Sequence, residues 1–166
     1  TITELNGWDA MNPGHFDQHL APFYEAELAA GTLTREQAKE LLSCFWVKVN
    51  NHPAPPKVGI TARESGTYND FTNINIGGVT SDGKDGVSEV SYLMLEVIEE
   101  LHVLQPGNSV HISSKTPDRF LNAACKVIRQ GHGYPSVFNP DVYIVEMLRQ
   151  GTSLQDAREG GCSGCI

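Results

Sequence analysis

No stretch of this sequence reaches the ~18 consecutive apolar residues of a membrane span. The opening Thr1-Ile2-Thr3-Glu4 lacks the basic-then-apolar pattern of a secretion signal. Basic charge is also scarce. Twelve Lys and Arg stand against 20 Asp and Glu, a formal net charge of -8. A non-specific phosphate-binding surface needs the opposite sign, which argues against broad nucleic-acid binding. Cysteines number only four, Cys44, Cys125, Cys162 and Cys165. A chain of 166 residues can stabilise itself without disulfides, so a reduced, cytoplasmic protein is expected. The glycine pairs at 77–78 and 131–133 fit neither GxGxxG nor a P-loop, and no internal repeat occurs. These absences predict a soluble chain without partners among membranes or nucleic acids.

What is present suffices for one packed domain, since 40% of the residues are hydrophobic. Apolar residues recur at helical spacing over Phe16–Ala29, putting Leu20, Phe23, Tyr24 and Leu28 on one face. Gly31 stops that helix. Thr34-Arg35-Glu36-Gln37 fits a capping box and opens a second helix, with Ala38, Leu41, Leu42, Phe45, Trp46 and Val49 inward. The prolines of 52–56 make that stretch a loop. Asn73-Ile74-Asn75-Ile76 alternates as a strand with one buried face would, and Val110–Ser113 is a second strand candidate. Helices are expected at about 88–104, from Thr116-Pro117-Asp118 to Gly131, at 141–150, and briefly after a Thr152 cap. Strands alternating with helices predict an α/β arrangement, helix-rich in this segment.

The last seven residues, Gly160-Gly161-Cys162-Ser163-Gly164-Cys165-Ile166, combine glycine freedom with two thiols. A zinc site would need a second ligand pair, yet Cys44 and Cys125 are isolated and His132 has no neighbouring partner. A thioredoxin-like motif belongs between a strand and a helix near the start of its fold. His15, His19 and His102 fall in or beside helical stretches, where a structural histidine is the commoner outcome. His111 sits in a strand and can face either way. No Ser-His-Asp or Cys-His set emerges from spacing alone.

Longer patterns say more. Pro135-Ser136-Val137-Phe138-Asn139-Pro140-Asp141, then Gly151-Thr152-Ser153-Leu154-Gln155-Asp156-Ala157-Arg158, then Gly164-Cys165, resemble the approach to the active site in glycyl radical enzymes, the pyruvate formate-lyase-like family. Pro13–Gln18, Gly31–Thr34, Asn73–Gly78, Glu89–Tyr92 and Gln105-Pro106 are similar to it as well, in order along nearly all of the chain. The resemblance implies part of a ten-stranded α/β barrel, with residues 1–166 as a central segment of the catalytic domain. It implies that Cys165 becomes a thiyl radical and abstracts hydrogen from a small substrate, while Phe71 lines the substrate pocket. It implies no directly bound cofactor. The glycyl radical lies outside this chain, installed by an activating enzyme that uses S-adenosylmethionine and an iron–sulfur centre, in a protein that is commonly a homodimer.

Gly164 replaces the first of the two adjacent cysteines that pyruvate formate-lyase carries. The chain therefore resembles the dehydratase and decarboxylase branches, with a lean toward arylacetate decarboxylases. In those branches a glutamate follows closely after the cysteine, beyond Ile166 here. The expected function is cleavage of a C–C or C–heteroatom bond by a lyase of which the fragment alone is inactive. The alternatives are a non-catalytic helical interaction module, or a CxxC redox or metal-binding protein with a depressed thiol pKa.

Overall fold

A computed structural model describes residues 11–51 and 72–163. Two helices come first, α1 (Phe16–Ala30) and α2 (Arg35–Asn50). Three βα units follow: β1 (Asn73–Gly77), α3 (Glu89–Leu101), β2 (Gly107–His111), α4 (Asp118–Ile128), β3 (Ser136–Phe138) and α5 (Pro140–Arg149). A short α6 (Leu154–Glu159) leads into the glycine-rich stretch. The α/β expectation holds among these residues. None of the described helices is long and apolar enough to cross a membrane.

Local signals set the helix ends. Gly31, at φ +69°, donates its N–H to Glu27 and Leu28 carbonyls and closes α1 in the left-handed conformation that glycine adopts without strain. The capping box at Thr34 forms as predicted: Gln37 N–H donates to the Thr34 hydroxyl at 3.2 Å, and Thr34 N–H donates to the Gln37 side chain at 2.9 Å. The cap of α6 is Ser153, not Thr152, because the Ser153 hydroxyl accepts from Asp156 N–H.

The strands are parallel and run in the order β1-β2-β3. Ile74 pairs with Asn108 and Ile76 with Val110, and His111 pairs with Phe138 across the second ladder. Residues 11–15 add isolated parallel bridges on the other side of β1, Met11 to Thr72 and His15 to Asn75. The alternation in β1 suggested one buried face, but every residue of the strand is buried. Ile74 and Ile76 pack with Val110, Leu93, Met94, Val97 and Phe120 in the core. Asn73 and Asn75, pointing the other way by the two-residue period, are enclosed by residues 11–15 and by the chain at Cys162. A parallel strand covered on both sides needs no solvent face.

Helix periodicity overstated burial elsewhere. Leu41, Phe23 and Leu28 are exposed, and Leu41 and Phe23 line a shallow apolar groove with Tyr24, Leu42 and Leu93. Trp46, Leu42 and Ala38, also expected inward, do carry the buried face of α2. Cys44 and Cys125, expected inside helical patterns, are exposed. β3 was not expected at all, and β2 begins three residues earlier than predicted.

Candidate active site

Strand geometry places Asn73, Asn75, Ser109 and His111 on the polar face of the sheet, because side chains two apart share a face. All four are buried. The chain leaving α6 crosses this face at Gly160–Cys162. Asn75 meets it there with both ends of its amide: Cys162 N–H donates to Asn75 Oδ1 at 2.9 Å, and Asn75 Nδ2 donates to the Cys162 carbonyl at 3.2 Å. Asn12 and Asn73 donate to that carbonyl too, at 2.5 and 3.3 Å. So close an approach requires glycine beside it, since a Cβ on Gly161 would stand 2.7 Å from the Asn75 side chain.

Two imidazoles and a phenol complete the arrangement. His111 Nε2 lies 2.7 Å from Asn75 Oδ1, and its Nδ1 lies 3.1 Å from the Tyr143 hydroxyl of α5. His15 Nε2 and the Tyr143 hydroxyl both reach the Gly160 carbonyl, at 3.0 and 3.3 Å. The His15 and His111 rings meet edge to face with centroids 4.8 Å apart. Glycine is again needed where they touch the backbone: Gly78 has φ +82°, and a Cβ there would contact both histidines.

Burial sets the protonation states. It pushes the His111 imidazole down to about 3, with His15 adding a smaller repulsion, and lowers His15 as well. Both rings are therefore neutral near pH 7. The Tyr143 phenol is raised by burial and by the neighbouring Cys162. Burial lifts the Cys162 thiol to about 11, the opposite of the depressed value that a redox dithiol requires. Among the described residues no group of three or more His, Cys, Asp or Glu could hold a metal ion. The arrangement presents hydrogen-bond donors and acceptors to a peptide, with no side chain here charged at neutral pH.

A second buried polar centre lies at the strand's end. Asp17 of α1 accepts from Gly77 N–H at 2.7 Å, from the Ser91 hydroxyl at 2.5 Å and from Gln18 N–H at 2.9 Å. Burial pushes its carboxyl up to about 7, against the lowering effect of those hydrogen bonds. It ties α1, β1 and the first turn of α3 together.

Of the residues singled out from sequence, Cys165 and Phe71 both lie outside the described residues. His15 and His111 come together at the loop, whereas His19 is exposed and His102 caps α3, stacked on His132. Asn12, Asn75 and Tyr143 were not singled out. The usable signal was a polar residue beside buried β-branched ones, Ile74 and Ile76 flanking Asn75 and Val110 preceding His111.

The whole chain, residues 1–166, matches the family described as pyruvate formate lyase-like. A trans-4-hydroxy-L-proline dehydratase of Clostridioides difficile is 54% identical over 99% of this chain and 21% of that protein. The crystal structure of a hydroxyproline dehydratase from the same species, with trans-4-hydroxy-L-proline bound, superposes with a TM-score of 0.88 at 53% identity, covering 96% of this chain and 20% of that one. A 4-hydroxyphenylacetate decarboxylase glycyl radical subunit, also from C. difficile, is 30% identical over 94% of this chain and 18% of that protein. The chain thus spans about a fifth of the length of these relatives, and the dehydratase is much nearer to it than the decarboxylase toward which the terminal motif leaned.

Proposed function

The chain belongs to the pyruvate formate lyase-like family, and from that premise we propose that it is the central segment of a glycyl radical dehydratase acting on a hydroxylated cyclic amino acid such as trans-4-hydroxy-L-proline. What carries the reading is the 54% identity to a trans-4-hydroxy-L-proline dehydratase, sustained over 99% of the chain. The geometry agrees with it, because the Cys162 peptide, three residues before Cys165, is tied by hydrogen bonds to the buried Asn75 side chain of β1.

Cys165 is the reacting group in this proposal. Its thiyl radical takes a hydrogen atom from a substrate carbon, so an S–H bond forms as a C–H bond breaks. The substrate radical loses its neighbouring hydroxyl with a proton, as water, and the thiol then returns the hydrogen atom. The sum is substrate to dehydrated product plus one water, with Cys165 regenerated. A glycyl radical on the longer polypeptide, installed by an activating enzyme, supplies the unpaired electron. Phe71 lines the substrate pocket, and the enzyme works as a cytoplasmic homodimer.

The test is anaerobic activation of the intact enzyme, followed by electron paramagnetic resonance and incubation with trans-4-hydroxy-L-proline or 4-hydroxyphenylacetate. The expected result is an organic radical signal and loss of one water from the hydroxyproline. Carbon dioxide from 4-hydroxyphenylacetate, with hydroxyproline untouched, would move the enzyme to the decarboxylase branch. Turnover without any radical would end the reading.

A further inference from the structure

The hydrogen bonds around Cys162 admit only one direction. A backbone amide can only donate, so Asn75 Oδ1 is the acceptor for Cys162 N–H and its Nδ2 faces the Asn12 side-chain oxygen and the Cys162 carbonyl, at 3.0 and 3.2 Å. His111 Nε2, 2.7 Å from the same Oδ1, must then carry a hydrogen. A neutral imidazole protonated there has a bare Nδ1, which accepts from the Tyr143 hydroxyl at 3.1 Å. That leaves the Gly160 carbonyl to His15 Nε2–H at 3.0 Å. From Tyr143 of α5 through His111 and Asn75 to the Cys162 peptide, each contact is then matched donor to acceptor; the buried His15 Nδ1 has no partner among the described residues.

We infer that His111 and Asn75 are positioning residues for the radical chemistry. His111 orients the Asn75 amide, and Asn75 fixes the Cys162 backbone from which the loop to Cys165 departs. The inference rests on the reading of Cys165 as the reacting thiol. Cys165 follows Cys162 by three positions, a reach of at most about 11 Å in extended chain. A displaced anchor therefore moves the sulfur directly. Hydrogen abstraction depends on close placement, and a misplacement of about 1 Å costs on the order of 100-fold. Neither side chain touches the reacting atoms in this account, so their effect belongs in kcat rather than in substrate affinity.

The experiment uses the intact, anaerobically activated enzyme, with trans-4-hydroxy-L-proline as the probe substrate. His111→Phe keeps a ring but removes the Nε2–H donor. It should lower kcat about 100-fold, leave KM within about threefold and leave the radical content per chain unchanged. His111→Gln, which restores an Nε2–H at similar reach, should recover kcat to within about threefold of wild type. Asn75→Asp is isosteric, keeps the acceptor and loses both amide donors; it should reproduce the kcat loss and covers the case in which His111→Phe does not fold. Before activation, iodoacetamide labelling of Cys165, read by peptide mass spectrometry, should change rate in His111→Phe and return in His111→Gln. Wild-type kcat in His111→Phe or Asn75→Asp, an equal loss in His111→Gln, or a loss carried in KM would each overturn the assignment. A wild-type enzyme that takes up no radical instead overturns the functional reading and this role with it. A radical-bearing wild type with an indifferent His111→Phe overturns positioning alone.

Discussion

Asn75 and Ile76 are neighbours on β1, and both are completely buried, yet they do opposite work. Ile76 faces the helices and joins Ile74, Val110, Leu93 and Phe120 in the core. Asn75 faces the other way and spends its whole hydrogen-bonding capacity on the Cys162 backbone, Asn12 and His111. Area removed from water stabilises the first face in proportion to its size, without regard to direction. The second gains little net stability, since each buried bond replaces bonds to water, but it demands one geometry. The lesson is a division within a single strand: the apolar face holds the fold, and the polar face holds a loop.

That division can be broken from either side. Ile76→Ala should destabilise the intact enzyme by about 2–5 kcal/mol, because it leaves a cavity against Phe120 and Leu93, while the kcat of the folded fraction stays near wild type. Chemical denaturation and kinetics on one preparation check both halves.

Asp17 sits where the two faces meet, and its effect depends on pH. Its folded value of about 7 lies above the ordinary 3.8. The native state therefore binds more protons than the unfolded state between these values, and stability from this group is present below about 4 and lost as pH rises through about 7. The span corresponds to about 4 kcal/mol at most. Burial of neutral His111 acts with the opposite sign, losing stability as pH falls from 6.5 toward about 3. The comparison that isolates Asp17 is its difference from Asp17→Asn: urea midpoints of wild type should fall relative to the variant between pH 4 and pH 8, and parallel curves would refute it.

Gly161→Ala attacks the polar face alone. Its Cβ would stand 2.7 Å from Asn75, so the loop must shift, and turnover should fall about 100-fold, or about 2.7 kcal/mol of transition-state stabilisation. The melting temperature should barely move. Smallest is Thr34→Ala, which removes a cap on an exposed helix start far from the loop and should cost about 1 kcal/mol with kcat unchanged.

The apolar face was the legible one. Turn and cap signals at Gly31 and Thr34, and the alternating Asn73–Ile76 run, located α1, α2 and β1 because local chemistry decides those elements. β3 escaped notice because Ser136–Phe138 is three residues long and only partly buried, and pairing with β2 makes it a strand. Phe23 and Leu41 fit the helical period and remain exposed, since periodicity names a face without saying what covers it. On the polar face, Asn75 read as a solvent-facing residue; nothing local tells that a loop some 87 residues later will lie across it. The family resemblance pointed to Cys165 and Phe71, and the long-range hydrogen bonds that join Asn12 to the Cys162 carbonyl, His111 to Asn75 and Tyr143 to His111 exist only in the folded chain.

The central claim separates the two terminal cysteines. Cys162 contributes its peptide N–H and carbonyl to the anchor, while in the proposed function Cys165 carries the chemistry. The direct measurement compares Cys162→Ala with Cys165→Ala in the intact, radical-loaded enzyme on trans-4-hydroxy-L-proline. The account predicts that Cys162→Ala, whose backbone still binds Asn75, turns over within about threefold of wild type, and that Cys165→Ala gives no product above background. Turnover by Cys165→Ala, or its abolition in Cys162→Ala, would contradict it.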